Sequence, residues 1–248
     1  MHRFFVPGNR IHDDEVMFDK EQAHQMRNVL RLRPGRRIVA LDNTGIEYDV
    51  ELTIVEKDKA TGTIKARRQA AGEPATQITL FQAMLSREKF ELVLQKCTEI
   101  GAVRIVPVVT ERTVVRSTAI KEKKLIRWRS IVTEAAEQSR RGRIPELDKP
   151  VSIRQAAGEL GAFDLSLIAY EDECKRSLRE TLAHGTRPPT NIALLVGPEG
   201  GFAESEVNLA GEHGAVSLGL GRRILRTETA AIVATALILY ELGDMNPR

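Results

Sequence analysis

The sequence predicts two parts: a small module made mainly of β-strands, followed by a larger α/β domain with a parallel sheet. Short runs of alternating polar and apolar residues dominate the first part, whereas strands and helices alternate after residue 77. Between the two patterns, residues 70–76 contain Gly, Glu and Pro, which is typical of a linker. We therefore predict domains over residues 1–72 and 77–248.

The first module is predicted to hold one helix and several short strands. Asp19 is a candidate N-terminal cap for a helix over residues 19–31, whose apolar residues recur at helical spacing. Residues 42–45 form a hairpin signal. Strands are predicted over residues 3–6, 37–41, 48–55 and 61–68. Many short strands around one helix indicate a small barrel-like module.

The second part alternates strongly between the two kinds of element. Strands are predicted over residues 78–83, 104–109, 164–170, 191–197 and 215–218. Helices are predicted over residues 86–100, 119–139, 175–183, 204–212 and 228–242. Ser86 is a candidate cap for the first of these helices, and Gly101 is placed to end it. Such alternation predicts a parallel sheet whose faces are covered by helices.

Composition excludes several classes of protein. Hydrophobic residues at 42% and charged residues at 29% are ordinary for a globular chain and exclude a wholly disordered one. No run approaches the roughly 18 apolar residues of a membrane-spanning helix, and the N-terminus lacks a signal-peptide pattern. Cys97 and Cys174 form no zinc pattern, so we expect buried thiols in a reduced, cytoplasmic setting. No metal is predicted, because no ligand spacing is found among His2, His12, His184 and His213.

One window of the sequence is strongly basic. Ten basic residues are opposed by three glutamates, which gives a local charge of +7. The basic residues are Arg112, Arg116, Lys121, Lys123, Lys124, Arg127, Arg129, Arg140, Arg141 and Arg143. An excess of this size predicts a phosphate-binding face, and a solvated helix surface is the alternative. Trp128 alone is too little aromatic surface for a base-stacking platform.

Two glycine-containing loops are the most informative segments. The first glycine loop, residues 197–202 (Gly-Pro-Glu-Gly-Gly-Phe), lies between a buried strand and a helix, and a tight structural turn is its alternative interpretation. Ligands of open parallel sheets bind at the carboxyl ends of strands, where glycines let the backbone approach them. The second glycine loop, residues 218–230, begins like a dinucleotide-binding fingerprint. Ile224 occupies the sixth position, so that fingerprint fails, and no phosphate-binding P-loop motif occurs.

Together the two loops resemble the RsmE family, the bacterial 16S ribosomal RNA uracil N3-methyltransferases of the SPOUT superfamily. Weaker matches occur at residues 3–5, 96–101 and 134–139, and at Arg141. The resemblance therefore covers nearly the whole chain. One departure is Ala203, where the family often has a capping Ser or Thr, while Glu206 remains three residues later. Half of a capping box is thus expected at that helix, at a cost of about 1 kcal/mol.

The resemblance implies a PUA-like RNA-binding barrel followed by an α/β domain with a deep trefoil knot. It also implies a homodimer that binds S-adenosylmethionine in the knot, with the helix around residues 134–141 of one chain approaching the knot of the other. The third knot loop is Ala169-Tyr170-Glu171. The cofactor-binding residues implied are Ala169, Leu195, Gly197, Gly200, Gly201, Leu218, Leu220, Gly221, Ile224, Leu225 and Thr229.

Within this assignment, the backbone of Leu218, Leu220 and Leu225 holds the adenine. Gly197 and Gly201 leave room for the ribose and the methionine part.

The reaction implied is methylation of ring nitrogen 3 of a uridine in 16S ribosomal RNA. That nitrogen carries a proton, so a group must accept it or must stabilise negative charge on the flanking carbonyl oxygens. Arg226 and Arg223 suit the second role, and Glu199 or Glu228 the first. A structural ion pair is the alternative role of Arg226.

RNA-binding residues are expected on both parts of the chain: Arg3, His24, Arg31, Arg112, Gln138, Arg140 and Arg141. We expect the substrate to be the assembled small ribosomal subunit, although the sequence does not distinguish it from naked RNA.

Two other functions compete with this one. The first is another SPOUT methyltransferase, acting on ribose or transfer RNA; residues 137–141 and the N-terminal module favour the ribosomal RNA enzyme. The second is a non-catalytic RNA-binding assembly factor that retains a knot. The intact segments 197–201 and 224–230 argue against it.

Overall fold

The structure is a computed structural model that describes residues 1–115, 117–173, 176–183 and 187–246. Three residues named above lie outside these ranges, Arg116, Cys174 and His184, and so does the first residue of the helix predicted over residues 175–183. The chain forms two compact units. The first consists of residues 1–73 and 133–144, and the second of residues 74–132 and 145–248. The first unit thus includes a segment, 133–144, that the sequence-based division assigned to the second domain.

The first unit is built on one mixed sheet of six strands. They are β1 (Arg3–Phe5), β2 (Ile11–His12), β3 (Glu15–Phe18), β4 (Arg37–Leu41), β5 (Ile46–Val55) and β6 (Ala60–Gln69). Their order is β1-β4-β5-β6-β3-β2, with β1 parallel to β4 and the other neighbours antiparallel. The predicted β-rich module is confirmed. Strands β2 and β3 were not predicted, because two and four residues are too few to show a period.

A short helix, α1 (Lys20–His24), covers part of the core of the first unit. The predicted cap is confirmed: Asp19 Oδ1 accepts a hydrogen bond from the Gln22 amide at 2.8 Å, and Gln22 Oε1 accepts one from the Asp19 amide at 3.2 Å. The helical path continues in π geometry over Gln25–Val29 and ends there. The predicted helix over residues 19–31 therefore ends early, and Arg31 has a positive φ of 54°.

The second unit is built on a parallel sheet, as predicted. Its strands are β7 (Gln77–Ala83), β8 (Arg104–Val109), β9 (Glu146–Leu147), β10 (Val151–Ser152), β11 (Leu165–Ala169), β12 (Asn191–Val196) and β13 (Ala215–Leu218). The order is β10-β8-β7-β12-β11-β13, and β9 pairs with β8. Every pairing is parallel. The trefoil knot stays a prediction.

The helices that follow β7 along the chain are α2 (Arg87–Ile100), α3 (Glu122–Gln138), α4 (Ile153–Glu159), α5 (Leu178–Ala183), α6 (Glu204–Glu212) and α7 (Thr227–Glu241). Of these, α7 contacts β7 and β12, α4 contacts β8, and α6 contacts β13. Helix α3 is divided between the two units at residue 133. The short elements β9, β10 and α4 were not predicted. Because helices pack against the sheet, β7 and β12 are buried along almost their whole length. In the described part of the chain, no helix is long and apolar enough to cross a membrane.

The C-terminal end of α2 agrees with the prediction, and its N-terminal end does not. Gly101 ends the helix with a φ of 134°, as expected of a glycine in that position. Ser86 does occupy the N-cap position, but its side chain makes no capping hydrogen bond, so the predicted hydroxyl cap is wrong. The Ser86 amide instead donates a hydrogen bond to Glu199.

Arg141 is a buried cation of the first unit. Its side chain is 2% exposed, and its Nη2 lies 2.8 Å from Glu73 Oε2. Glu73 Oε1 also accepts hydrogen bonds from the amides of Gly142, at 2.9 Å, and Arg143, at 3.1 Å. Burial alone acts to raise the pKa of Glu73, but these bonds hold it below its ordinary value. The pair therefore fixes residues 141–143 to Glu73, in the middle of the predicted linker.

We predict that Arg141→Ala lowers the free energy of unfolding by about 3 kcal/mol, because it leaves the Glu73 carboxylate without its ionic partner. Arg140→Ala is the matched control: this neighbour is exposed and has a positive φ of 65° that the substitution leaves in place. Its effect should stay within about 0.5 kcal/mol. Urea unfolding measures both, and equal effects would refute a structural role for Arg141.

Glu137 is a partly buried acid on the last turn of α3. Its Oε1 accepts a hydrogen bond from the Phe5 amide at 2.9 Å. Burial raises the pKa of Glu137 to about 7; the Phe5 bond acts in the opposite direction and the charge of Glu134 adds to the rise. The carboxyl group thus holds its proton in the folded unit at pH values where the unfolded chain has lost it.

It follows that stability should fall as pH rises from about 4.5 to about 7, since the folded state binds more protons in this window. Glu137→Gln keeps an acceptor for the Phe5 amide and cannot ionise. We expect the variant to exceed the wild type by about 2 kcal/mol at pH 8 and to match it near pH 4. Glu56→Gln, at an exposed position of the first unit, serves as the control in urea unfolding at both pH values. A pH-independent difference would contradict the expectation.

Candidate functional site

Three neighbouring strands of the second unit end side by side. In the sheet, Ala169 at the end of β11 pairs with Val196 of β12 and with Leu218 of β13. The loops that follow these strands meet at the carboxyl edge of the sheet and enclose a cavity of about 380 Å³. Cavities of this size at this edge are typical small-molecule sites of α/β sheets.

Most of the predicted cofactor-binding residues line this cavity. They are Ala169, Gly197, Gly201, Leu218, Leu220, Gly221, Ile224 and Leu225. Three others do not line it: Leu195, Gly200 and Thr229. Leu195 is buried in the apolar core beneath the sheet. Thr229 is exposed on the first turn of α7.

The first glycine loop is held rigidly. Gly201 has a φ of 68°, and its amide donates to the Pro198 carbonyl at 3.0 Å. Phe202 is buried, and a Cβ added to Gly197 would lie 3.1 Å from its ring. A Cβ on Gly201 would overlap the carboxylate of Glu171 in the cavity wall. The positive φ favours glycine at position 201, and a Cβ at position 197 would require the buried Phe202 ring to shift.

Gly200 faces away from the cavity. A Cβ at this position would make ordinary contact with the side chain of Arg112, 3.4 Å from its Cβ. The Arg112 guanidinium also donates to the Gly200 carbonyl, with Nη1 at 2.8 Å. Arg112 therefore supports the first glycine loop from outside. The prediction that Gly200 contacts the cofactor is not supported by this geometry.

The second glycine loop is tied to the first by a buried hydroxyl. Thr227 Oγ1 donates to the Gly197 carbonyl and accepts a hydrogen bond from Gln82 Nε2 at 3.3 Å. Thr227 is thus the first residue of α7, one residue before the predicted start at residue 228, and Arg226 occupies the N-cap position without a side-chain bond. This leaves the Arg226 side chain at the mouth of the cavity.

Charged side chains of both signs line the cavity. Arg223 and Arg226 are exposed, and neither forms an ion pair with any residue that the structure describes. The structural ion pair considered for Arg226 is therefore not formed within the described chain. Both guanidinium groups remain available to a ligand.

Lys89 on α2 is a cavity residue that sequence reasoning missed. Its Nζ lies 3.1 Å from Glu199 Oε1 and 4.0 Å from Glu228 Oε2. Burial acts to raise the pKa of Glu199, but the bonds from Lys89 and from backbone amides hold it below its ordinary value. Glu199 is thus charged and ion-paired at neutral pH, which makes it a weak proton acceptor.

The carboxylate of Glu228 is less fully satisfied than that of Glu199. Its Oε2 is buried and accepts no hydrogen bond from any described residue. Of the two candidate bases, Glu228 therefore has the oxygen that is less engaged by the protein.

The predicted RNA-binding residues fall into two groups. His24, Arg31, Arg112, Gln138 and Arg140 are exposed. Arg3 and Arg141 are instead committed to internal ion pairs of the first unit. Arg3 Nη2 lies 2.6 Å from Glu47 Oε2 with a side chain only 10% exposed, and Arg141 pairs with Glu73. Contact of these two guanidinium groups with RNA is contradicted by their burial.

Two further expectations concern capping and thiols. Glu206 Oε2 accepts a hydrogen bond from the Ala203 amide at 2.9 Å, which confirms the remaining half of the capping box. Its other oxygen accepts from the Glu111 amide at 2.8 Å. Cys97 is fully buried, and burial raises its pKa to about 12, as expected of a thiol that acts as a small apolar residue. Within the described ranges, no cluster of His, Cys, Asp and Glu could hold a metal ion.

Comparisons with protein families match both parts of the chain. Residues 72–239 match the family model described as "RNA methyltransferase domain", and residues 18–65 match the one described as "RNA methyltransferase PUA domain".

Similar proteins extend over the full length. The Ribosomal RNA small subunit methyltransferase E of Bacillus subtilis is 32% identical, with 97% of each chain covered. The protein of that name from Mesomycoplasma hyopneumoniae is 35% identical, over 94% of this chain and 96% of its own. A crystal structure of the Ribosomal RNA small subunit methyltransferase E from Neisseria gonorrhoeae, bound to S-adenosyl methionine, is also similar. Its sequence is 34% identical, its TM-score is 0.89, and the match covers 99% of this chain and 100% of that chain.

Proposed function

Because the chain belongs to the ribosomal RNA small subunit methyltransferase E family, we propose that it methylates ring nitrogen 3 of a specific uridine in 16S ribosomal RNA. The chain is an RNA methyltransferase, and its methyl donor is S-adenosylmethionine. The observation that supports the proposal most directly is the cavity between the three strand ends, which is lined by the two glycine loops. We place the reaction in the cytoplasm and on the assembled small subunit.

The residues of the cavity fit this cofactor. Leu218, Leu220 and Leu225 line it, and we assign the adenine ring to their main-chain groups and apolar side chains. Gly197 and Gly201 also line the cavity, and we assign the ribose and the methionine part to this loop. The bound cofactor would supply a methyl group on a sulfonium, which is already a good leaving group.

The protein's contribution to the reaction is then alignment and charge. A uracil nitrogen must lose its proton before it can attack, and the negative charge spreads onto the neighbouring carbonyl oxygens. We assign stabilisation of that charge to Arg226 and Arg223, whose guanidinium groups are unpaired in the described chain. Glu199 lines the cavity but is engaged by Lys89, whereas Glu228 is less engaged but lies outside the lining, so both carboxylates stay candidates for the proton acceptor.

RNA contacts are assigned to the exposed residues of the predicted set: His24, Arg31, Arg112, Gln138 and Arg140. The lysines of the basic window add positive charge on the first turns of α3. Neutralisation of phosphates by such groups releases counterions, so RNA affinity should fall as salt concentration rises.

A second copy of the chain completes the proposal. Helix α7 exposes the apolar side chains of Leu237, 39% exposed, and Tyr240, 60% exposed, and Ile224 in the second glycine loop is 89% exposed. A homodimer would cover such a surface, and residues 134–141 of the partner copy are assigned to the neighbourhood of the cavity. Light scattering at micromolar concentration should give twice the mass of one chain, and a monomer would refute this part of the proposal.

The function itself is tested by mass spectrometry of nucleosides from 16S ribosomal RNA, isolated from cells with and without this protein. Loss of 3-methyluridine in the cells without it is the expected result. Loss of a ribose methylation, or of a methyl group in transfer RNA, would favour the alternative SPOUT enzymes. An unchanged pattern of methylation would favour an assembly factor.

The two glycines of the first loop should differ in their effect on cofactor binding. Gly201→Val places a branched side chain at a positive φ beside Glu171, so calorimetry should show S-adenosylmethionine affinity lowered by roughly a hundredfold or more. Gly200→Ala is the matched control, because its Cβ would meet Arg112 outside the cavity. We expect its affinity to stay within a small factor of the wild type. Undiminished affinity in Gly201→Val would remove the cofactor from this loop.

Arg226 should act on the methyl transfer step more than on cofactor binding. Removal of one preorganised donor costs about 3 kcal/mol, so Arg226→Ala should lower the single-turnover rate by roughly a hundredfold or more. S-adenosylmethionine affinity should change only slightly. Arg226→Lys should recover part of the rate, because it restores the charge without the planar fork. Loss of cofactor affinity in Arg226→Ala would indicate a structural role, and an unchanged rate would make Arg223 the candidate.

A further inference from the structure

One carboxylate in the cavity wall has no partner in the protein. Glu171 lies two residues beyond the end of β11 and lines the cavity. Its side chain is exposed, and it forms no hydrogen bond or ion pair with a residue in the described ranges. The neighbouring acids are different: Glu173 Oε2 accepts a hydrogen bond from Ser217 Oγ at 2.6 Å. Glu171 therefore has no polar partner among the described residues that would occupy its carboxylate.

The charges around the cavity make this carboxylate stand out. Among the described residues, the only other acid that lines the cavity is Glu199, whose carboxylate pairs with Lys89 Nζ at 3.1 Å. The remaining charged lining residues are cations: Arg222, Arg223 and Arg226. Glu171 is thus the one negative group of the described lining that is left for a cationic ligand.

The position of Glu171 selects one part of the ligand. Its carboxylate lies against Gly201, where an added Cβ would overlap it. Gly201 follows β12 and belongs to the loop assigned to the ribose and the methionine part. The adenine is assigned instead to Leu218, Leu220 and Leu225, which follow β13. A cation at Glu171 is therefore one carried by the methionine part.

We propose that Glu171 binds the α-ammonium group of the amino-acid part of the methyl donor. The inference rests on the proposed function, because it needs S-adenosylmethionine in the cavity. An ammonium group donating to a carboxylate forms a charge-assisted hydrogen bond, which is among the stronger polar contacts in proteins. Glu171 then favours a ligand that has an amino acid attached through sulfur at the 5′ position over a 5′-thioether of adenosine that lacks the amino acid.

The test compares two ligands that differ in the amino-acid part. S-adenosylhomocysteine has the α-ammonium group but no sulfonium, whereas 5′-methylthioadenosine has neither. Calorimetry of Glu171→Gln should show S-adenosylhomocysteine binding weakened by roughly tenfold or more, with 5′-methylthioadenosine unchanged within about twofold. Glu171→Asp should lose less than Glu171→Gln. Glu204→Gln, an exposed acid on α6 outside the lining, is the matched control and should bind both ligands as the wild type does.

Other outcomes would overturn the inference. Equal weakening of both ligands would mean that Glu171 only shapes the cavity. Weakening of S-adenosylmethionine without weakening of S-adenosylhomocysteine would assign Glu171 to the sulfonium. No change in either ligand would remove Glu171 from the site. If the wild-type protein binds none of these ligands, both the proposed function and this inference are refuted. If the wild type binds them and Glu171→Gln changes nothing, only this inference is refuted.

Discussion

The hydroxyl group of Thr227 is the contact on which the geometry of the cavity depends. It donates to the carbonyl of Gly197 and accepts from the side-chain amide of Gln82, so it joins β7, the loop after β12 and the start of α7. Thr227 and Gln82 are both buried. Buried polar groups are costly when they lose their partners, so any displacement of one loop from the other is opposed by these bonds. The end of the second glycine loop at Thr227 is therefore fixed to the first glycine loop before any ligand enters.

With the loops joined at Thr227, the division of charge around the cavity follows from which side chains the protein satisfies itself. Lys89 reaches the cavity from α2 and engages Glu199, while Arg112 is turned to the outer side of the first glycine loop and holds the Gly200 carbonyl. Arg223 and Arg226 have no such partner in the described chain. If the proposed function is right, the charged side chains that have no partner within the described chain are those that act on the ligand and the substrate.

The sequence predicted what depends on local pattern and missed what depends on distant contacts. The parallel sheet and the glycine loops were predicted because buried strands and glycine turns are visible in short windows. Lys89 was missed because it lies on another element, 110 residues before Glu199. Arg3 and Arg141 were assigned to RNA by the family resemblance and by charge, neither of which reveals burial. Gly200 was grouped with Gly201 because adjacent glycines look alike until the backbone separates their directions.

The loop between β13 and α7 is assigned both to cofactor binding and to the methyl transfer step, so the two functions are coupled through its backbone. Leu218, Leu220 and Leu225, assigned to the adenine, alternate with Arg223 and Arg226, assigned to the substrate, within the loop between β13 and α7. The loop is anchored at one end by the pairing of Leu218 with Ala169 and at the other by Thr227. A ligand that contacts the leucines between these anchors restricts the backbone from which the arginines project. Cofactor binding is therefore expected to order the arginines, so that the charge meant for the uracil is positioned only when the methyl donor is present.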